Sequence, residues 1–117
     1  MQGREVPLSQ RDTGTGNGSA DVDITFTAPT SPGQQWHIYT ATAKDQNNGF
    51  TSIRVYKKVG STYYPISETT SPSAGVYYEL LGSARVILDP GESLVIRFVG
   101  TTNSDALEAA ITGIITP

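Results

Sequence analysis

The chain holds one histidine, His37, and no cysteine in 117 residues, so any nucleophilic relay has to be built on that single imidazole. A Ser-His-Asp arrangement needs the base within hydrogen-bond reach of a hydroxyl and oriented in turn by a carboxylate. His37 instead follows Trp36 in an alternating stretch, the placement of a surface or interface side chain. Without thiolates neither a disulfide nor a cysteine metal site can form. Asp21 and Asp23 share one strand face and are the natural pair to flank a cation, yet Ca²⁺ takes six or more oxygen ligands from a purpose-built loop. They read as a solvated face. No P-loop, dinucleotide fingerprint or HExxH sequence occurs. The expectation is a protein that is not an enzyme, with no catalytic residue, no metal and no cofactor.

The tyrosines are the more informative set. Tyr39, Tyr56, Tyr63, Tyr64, Tyr77 and Tyr78 all fall in strand-like segments, and in the adjacent pairs Tyr63/Tyr64 and Tyr77/Tyr78 strand alternation turns one ring outward. A tyrosine buries a large ring at low rotamer cost and keeps a hydroxyl for hydrogen bonding, which suits a protein interface. Tyr39, Tyr56, Tyr64 and Tyr77 are the expected subunit or partner contacts. The same rings suit sugar stacking, so a glycan site formed by outward tyrosines and the loop at residues 45–49 is the alternative.

The elements that must carry these residues follow from composition and period. The length fits one domain with one core. A net charge of −3 with scattered Lys and Arg lacks the clustered cations of a nucleic-acid surface. No apolar run is long enough to span a bilayer, and the N-terminus does not read as a secretion signal. Neither nucleic acid nor membrane is expected as a partner. Residues 1–19 end in a Gly/Thr/Asn run that is too polar to fold alone. They are expected to form a flexible arm whose Arg4, Val6, Leu8 and Arg11 dock on a partner.

Residues 20–117 are expected to be the folded domain. Ala20, Val22, Ile24 and Phe26 alternate with polar residues in a half-buried strand. Residues 35–44 put Trp36, Ile38 and Thr40 on one side and His37, Tyr39 and Ala41 on the other. Ile53 and Val55 alternate with Arg54 and Tyr56, and Gly60-Ser61 joins that strand to residues 62–66 as a hairpin. Further strands are expected at 76–81 and 106–116, the latter with Leu107, Ala109, Ile111, Gly113 and Ile115 on one face; a short helical turn at 104–110 is the competing reading. Eight or nine short strands with turn signals every eight to twelve residues make an all-β, antiparallel β-sandwich, jelly-roll-like.

Residues 84–100, ARVILDPGESLVIRFVG, carry the sharpest local pattern. Val86 and Leu88, then Leu94, Ile96 and Phe98, alternate with Arg85 and Arg97 on either side of Asp89-Pro90-Gly91-Glu92. A proline that pre-sets φ followed by a glycine free to take positive φ asks for a type II turn, and the stretch reads as one β-hairpin. It resembles the PGE/PGD hairpin of small β-sandwich structural proteins of tailed bacteriophages, notably the trimeric capsid decoration, or cement, proteins. That resemblance covers the strand-rich body through the Trp36 strand, the Ile53-Arg54-Val55 strand and the hairpin. It implies a homotrimer that binds the major capsid protein on the outer surface of the virion after synthesis in the host cytoplasm. Phage tail, head-fibre and receptor-binding modules share such sandwiches, and fold does not decide among them.

Overall fold

A computed structural model describes residues 5–117. Nine strands follow in order: β1 (Val6–Thr15), β2 (Val22–Thr27), β3 (Gln35–Asp45), β4 (Ser52–Val59), β5 (Thr62–Thr70), β6 (Tyr78–Glu79), β7 (Val86–Leu88), β8 (Ser93–Val99) and β9 (Ala106–Thr116). They form two antiparallel sheets, β1-β9-β3-β6 with β7 also on β3, and β2-β8-β4-β5. Because β6 and β7 both pair with β3, they act as two pieces of one interrupted strand. Counted so, the sheets have four strands each and the connectivity of a jelly roll. No helix occurs among the described residues; residues 106–116 are strand, which removes the helical alternative.

The alternating apolar positions meet between the sheets. Ile38, Leu88, Leu107 and Ile111 from one sheet face Ile53, Leu94, Ile96 and Phe98 from the other, all fully buried. Apolar area removed from water on that scale is the main term holding the two layers together.

Residues 6–15 correct the expectation of a flexible arm. β1 pairs with β9 in unbroken register from Val6↔Ile115 to Thr15↔Ala106, and Leu8 is 3% exposed in the core. The apolar patch that seemed to need a partner finds it in its own sandwich. The polar run after it is held as well. Gly16 donates its N–H to the Asp105 carbonyl at 2.8 Å, and Asn17 N–H donates to Thr101 Oγ1 at 3.0 Å. Arg4 lies outside the described residues.

Two further corrections come from local geometry. In β3 a bulge between Ile38 and Thr40 adds one residue, so inward alternation restarts at Ala41, Ala43 and Asp45, not Thr40. Gly113 of β9 lies opposite Ile38, where a Cβ would sit 1.9 Å from the His37 carbonyl oxygen. Only glycine permits that approach. The β7–β8 stretch is not a hairpin. The turn itself forms as its residues ask, with Gly91 at φ +87° and Glu92 N–H donating to the Asp89 carbonyl at 2.9 Å. The two arms, however, belong to different sheets: β7 pairs with β3, and β8 with β2 and β4. The Pro-Gly turn is therefore a corner that carries the chain across the sandwich. By contrast β4 and β5 do form the expected hairpin around Gly60-Ser61.

Candidate functional site

The residues picked out for chemistry are dispersed. Among the described residues the Nε2 of His37 has only Gln35 Oε1 and Thr116 Oγ1 as side-chain partners, both at 3.3 Å, and these make no hydroxyl–imidazole–carboxylate relay. Asp23 is engaged by Arg97, whose Nε and Nη2 donate to its two oxygens at 2.8 and 3.0 Å. That fork-to-carboxylate geometry satisfies Asp23 and removes it as a cation ligand. Among the described residues no three His, Cys, Asp or Glu side chains gather as a metal site.

The four tyrosines taken as interface residues are not brought to one place. Tyr56 lies on the outer face of the β2-β8-β4-β5 sheet, in a layer with Tyr63 and Arg97. The two rings meet edge-on at 5.7 Å, and the Arg97 guanidinium stands 5.1 Å from each centroid. Val95, paired with Tyr56, is buried on that side, so the layer serves as a small outer core with cation–π contacts. Beside it a groove of 340 Å³ runs along Arg54, Tyr56, Pro65, Ser67 and Glu68, with Arg54 Nε bonded to Glu68 Oε2 at 2.7 Å.

Tyr77, read as a strand residue, lies in the loop just before β6, on the side of the other sheet, and is 56% exposed. Its hydroxyl donates to Glu108 Oε1, Arg11 Nη2 donates to Glu108 Oε2 at 2.8 Å, and Lys44 Nζ lies 4.2 Å from the ring centroid. The phenol, then the guanidinium, hold the Glu108 carboxyl below its ordinary range. Arg11, expected on a docking arm, is thus a partner of β9. Tyr39 falls in the β3 bulge with the Arg85 guanidinium 4.6 Å from its ring.

Tyr64 is the one that opens on a groove of apolar character. Where β5 and β7 diverge at the side of the sandwich, Tyr64, Ile66, Val86 and Ile87 line 330 Å³ of open space between Lys57 and Arg85. Tyr64 is 54% and Ile87 45% exposed. Ile87 was absent from the sequence reading because its neighbours Val86 and Leu88 take the inward positions.

The loop at residues 45–49, read as part of a glycan site, is consumed by its own polar groups. Asn47 Oδ1 accepts from Ala106 N–H at 2.8 Å, and Asn48 Nδ2 donates to Asp105 Oδ1 at 2.7 Å. The burial of Asp45, read as the first residue of that exposed loop, and of Asp105 escaped the sequence reading. The signal for Asp45 was available only through the bulge, which moves position 45 to the inward face.

No family model matches the chain, and no curated protein is similar to it. Among solved structures the chain is similar to the Drosophila NLP-core, a crystal structure described as giving insight into pentamer formation and histone binding. The identity is 13%, the match covers 92% of this chain and 97% of that one, and the TM-score is 0.43. A likeness of that size carries no functional information.

Proposed function

We propose that the chain is a non-enzymatic virion structural protein, a capsid decoration protein that acts as a homotrimer clamping major capsid subunits. The reading rests on the resemblance of the residue 84–100 stretch and on one observation: the groove at the open side of the sandwich. There Tyr64 and Ile87 present apolar area that the core does not use, rimmed by Lys57 and Arg85. An apolar centre with a polar rim is the anatomy of a protein contact. A trimer that engages several capsid subunits gains avidity from modest single interfaces.

The test is co-sedimentation of the purified chain with expanded empty capsids of the phage that encodes it, alongside its mass by light scattering. Saturable binding by a trimer, weakened by Ile87→Asp, is the expected result. If Ile87→Asp gives a folded monomer, the groove joins copies of the chain; if the trimer persists without capsid binding, the groove faces the capsid. A folded monomer of the parent chain that ignores capsids sinks the proposal. A carbohydrate-binding reading is favoured by a different feature, the Tyr56/Pro65 groove with its Arg54–Glu68 pair, and a glycan array on the parent and a Tyr56→Ala variant decides it.

A further inference from the structure

At the end of the sandwich where β3 stops and β9 starts, two carboxyl groups are shut away from water together. Asp45 exposes none of its surface and Asp105 3%. One oxygen of each is satisfied: Asp45 Oδ1 accepts the N–H groups of Asn47 and Asn48 at 2.9 and 3.2 Å, and Asp105 Oδ1 accepts Asn48 Nδ2 at 2.7 Å. The Oδ2 atoms of both are buried without a partner, and Asn48 brings the two carboxyls side by side, its N–H on Asp45 and its Nδ2 on Asp105.

No cation compensates them. Neither residue takes part in an ion pair among the described residues. Lys44 precedes Asp45 in β3 and Glu108, in β9, lies three residues after Asp105, but these two pair with each other in register and alternate to the outer face. The segments around the pair, residues 16–17, 46–49, 73–75 and 102–104, carry no charged side chain. Two ionised carboxylates there would repel in a dry site and leave two acceptors facing each other. Ca²⁺ or Mg²⁺ takes about six or more oxygens, and the pair has only its two Oδ2 atoms to give. A proton needs no more than those two.

We propose that Asp45 and Asp105 form a carboxyl–carboxylate pair that shares one proton between their Oδ2 atoms, at pH values where exposed carboxyl groups have lost theirs. The proton is a latch. Through it and the backbone bonds Gln46 N–H to Ala106 carbonyl at 3.0 Å, Gly75 N–H to Asp45 carbonyl at 2.7 Å and Gly16 N–H to Asp105 carbonyl at 2.8 Å, four chain segments are tied at one end of the sandwich. Burial, then the hydrogen bond from its partner, raises the Asp45 carboxyl above its ordinary value. The sign follows: this group's contribution to stability is complete below the ordinary aspartate pKa and is lost as pH rises through the folded-state value. The latch loosens with alkalinity.

Side-chain carboxyl ¹³C NMR of the labelled full chain, titrated from acid to mildly alkaline pH with a chelator present, reads the pair directly. A proton kept on the Asp45 carboxyl above the ordinary aspartate range, with the Asp105 carboxyl carbon sensing the same step, is expected; loss of that proton within the ordinary range overturns the proposal. Asp45→Asn and Asp105→Asn supply an amide donor where the proton sits. Each is expected to raise Tm at neutral pH, by a margin that shrinks on acidification, while the double variant, with two amides opposed, loses the gain. Single variants that melt below the parent by the same margin at acid and neutral pH overturn it. So does a Tm rise on adding Ca²⁺ to the chelator-treated parent that Asp45→Asn abolishes, since the gap then holds a cation.

Discussion

Gly91 and Glu108 show how much of this molecule's behaviour is decided by single residues. The glycine holds φ at +87°, and a Cβ there would stand 3.3 Å from Thr30 Cγ2. A β-branched residue avoids that region, so Gly91→Val is expected to cost about 1–3 kcal/mol, which for a domain of this size lowers Tm by roughly 4 °C per kcal/mol. Thermal denaturation followed by circular dichroism checks it; an unchanged Tm would mean that the corner tolerates another turn. Glu108 governs acid behaviour. Its carboxyl is held below the ordinary range by the Tyr77 hydroxyl and then by Arg11, so its contribution is present above the ordinary glutamate pKa and is lost as pH falls through the folded value. Glu108→Gln is therefore expected to flatten the acid limb of a Tm-against-pH curve and to leave the alkaline limb alone. A variant whose acid limb matches the parent's would show that the Tyr77–Glu108–Arg11 cluster is decorative.

The strands themselves were mostly legible, because period-two burial is a direct consequence of which face meets the other sheet. Ile24 and Phe26 in β2, Ile53 and Val55 in β4, and Leu107, Ala109 and Ile111 in β9 all point inward as their alternation implies. What the alternation could not tell was the partner of each strand. The arms around Asp89-Pro90-Gly91-Glu92 have the composition of a hairpin, and a turn between sheets uses the same residues as a turn within one. The bulge in β3 was equally hidden: nothing at Ile38-Tyr39-Thr40 departs from a regular strand, and Gly113, which sits opposite it, lies 75 residues further along the chain. β1 was misread because its Gly/Thr/Asn continuation cannot fold alone, whereas beside β9 it has ten paired positions to order it. Leu8→Ala tests that assignment. Truncating a core leucine costs about 2–5 kcal/mol, against little or nothing for a tail residue, so a clear drop in the midpoint of urea unfolding is expected. The dispersal of the tyrosines over both sheets was beyond sequence for the same reason, since facing depends on sheet membership.

For the whole molecule the jelly-roll connectivity brings the two ends of the described chain together, with Val6 beside Ile115, and makes nearly every sheet contact a distant one in sequence. Such topologies fold slowly, because loop closure precedes the contacts that reward it. β9 is the strand on which this turns. It lies between β1 and β3, the first and third strands, and is the last of the nine to be synthesised. While the ribosome still holds it, the sheet that needs it has a missing centre: β1 has no neighbour, Leu8 has no complete core, and β3 shows a bare edge. Folding of this sheet therefore waits until β9 has left the ribosome. In a stalled-ribosome assay, nascent chains ended before Ala106 are expected to remain protease-sensitive, and chains whose Thr116 has cleared the exit tunnel to become resistant in one step. Resistance gained before β9 emerges would mean that the other sheet folds by itself.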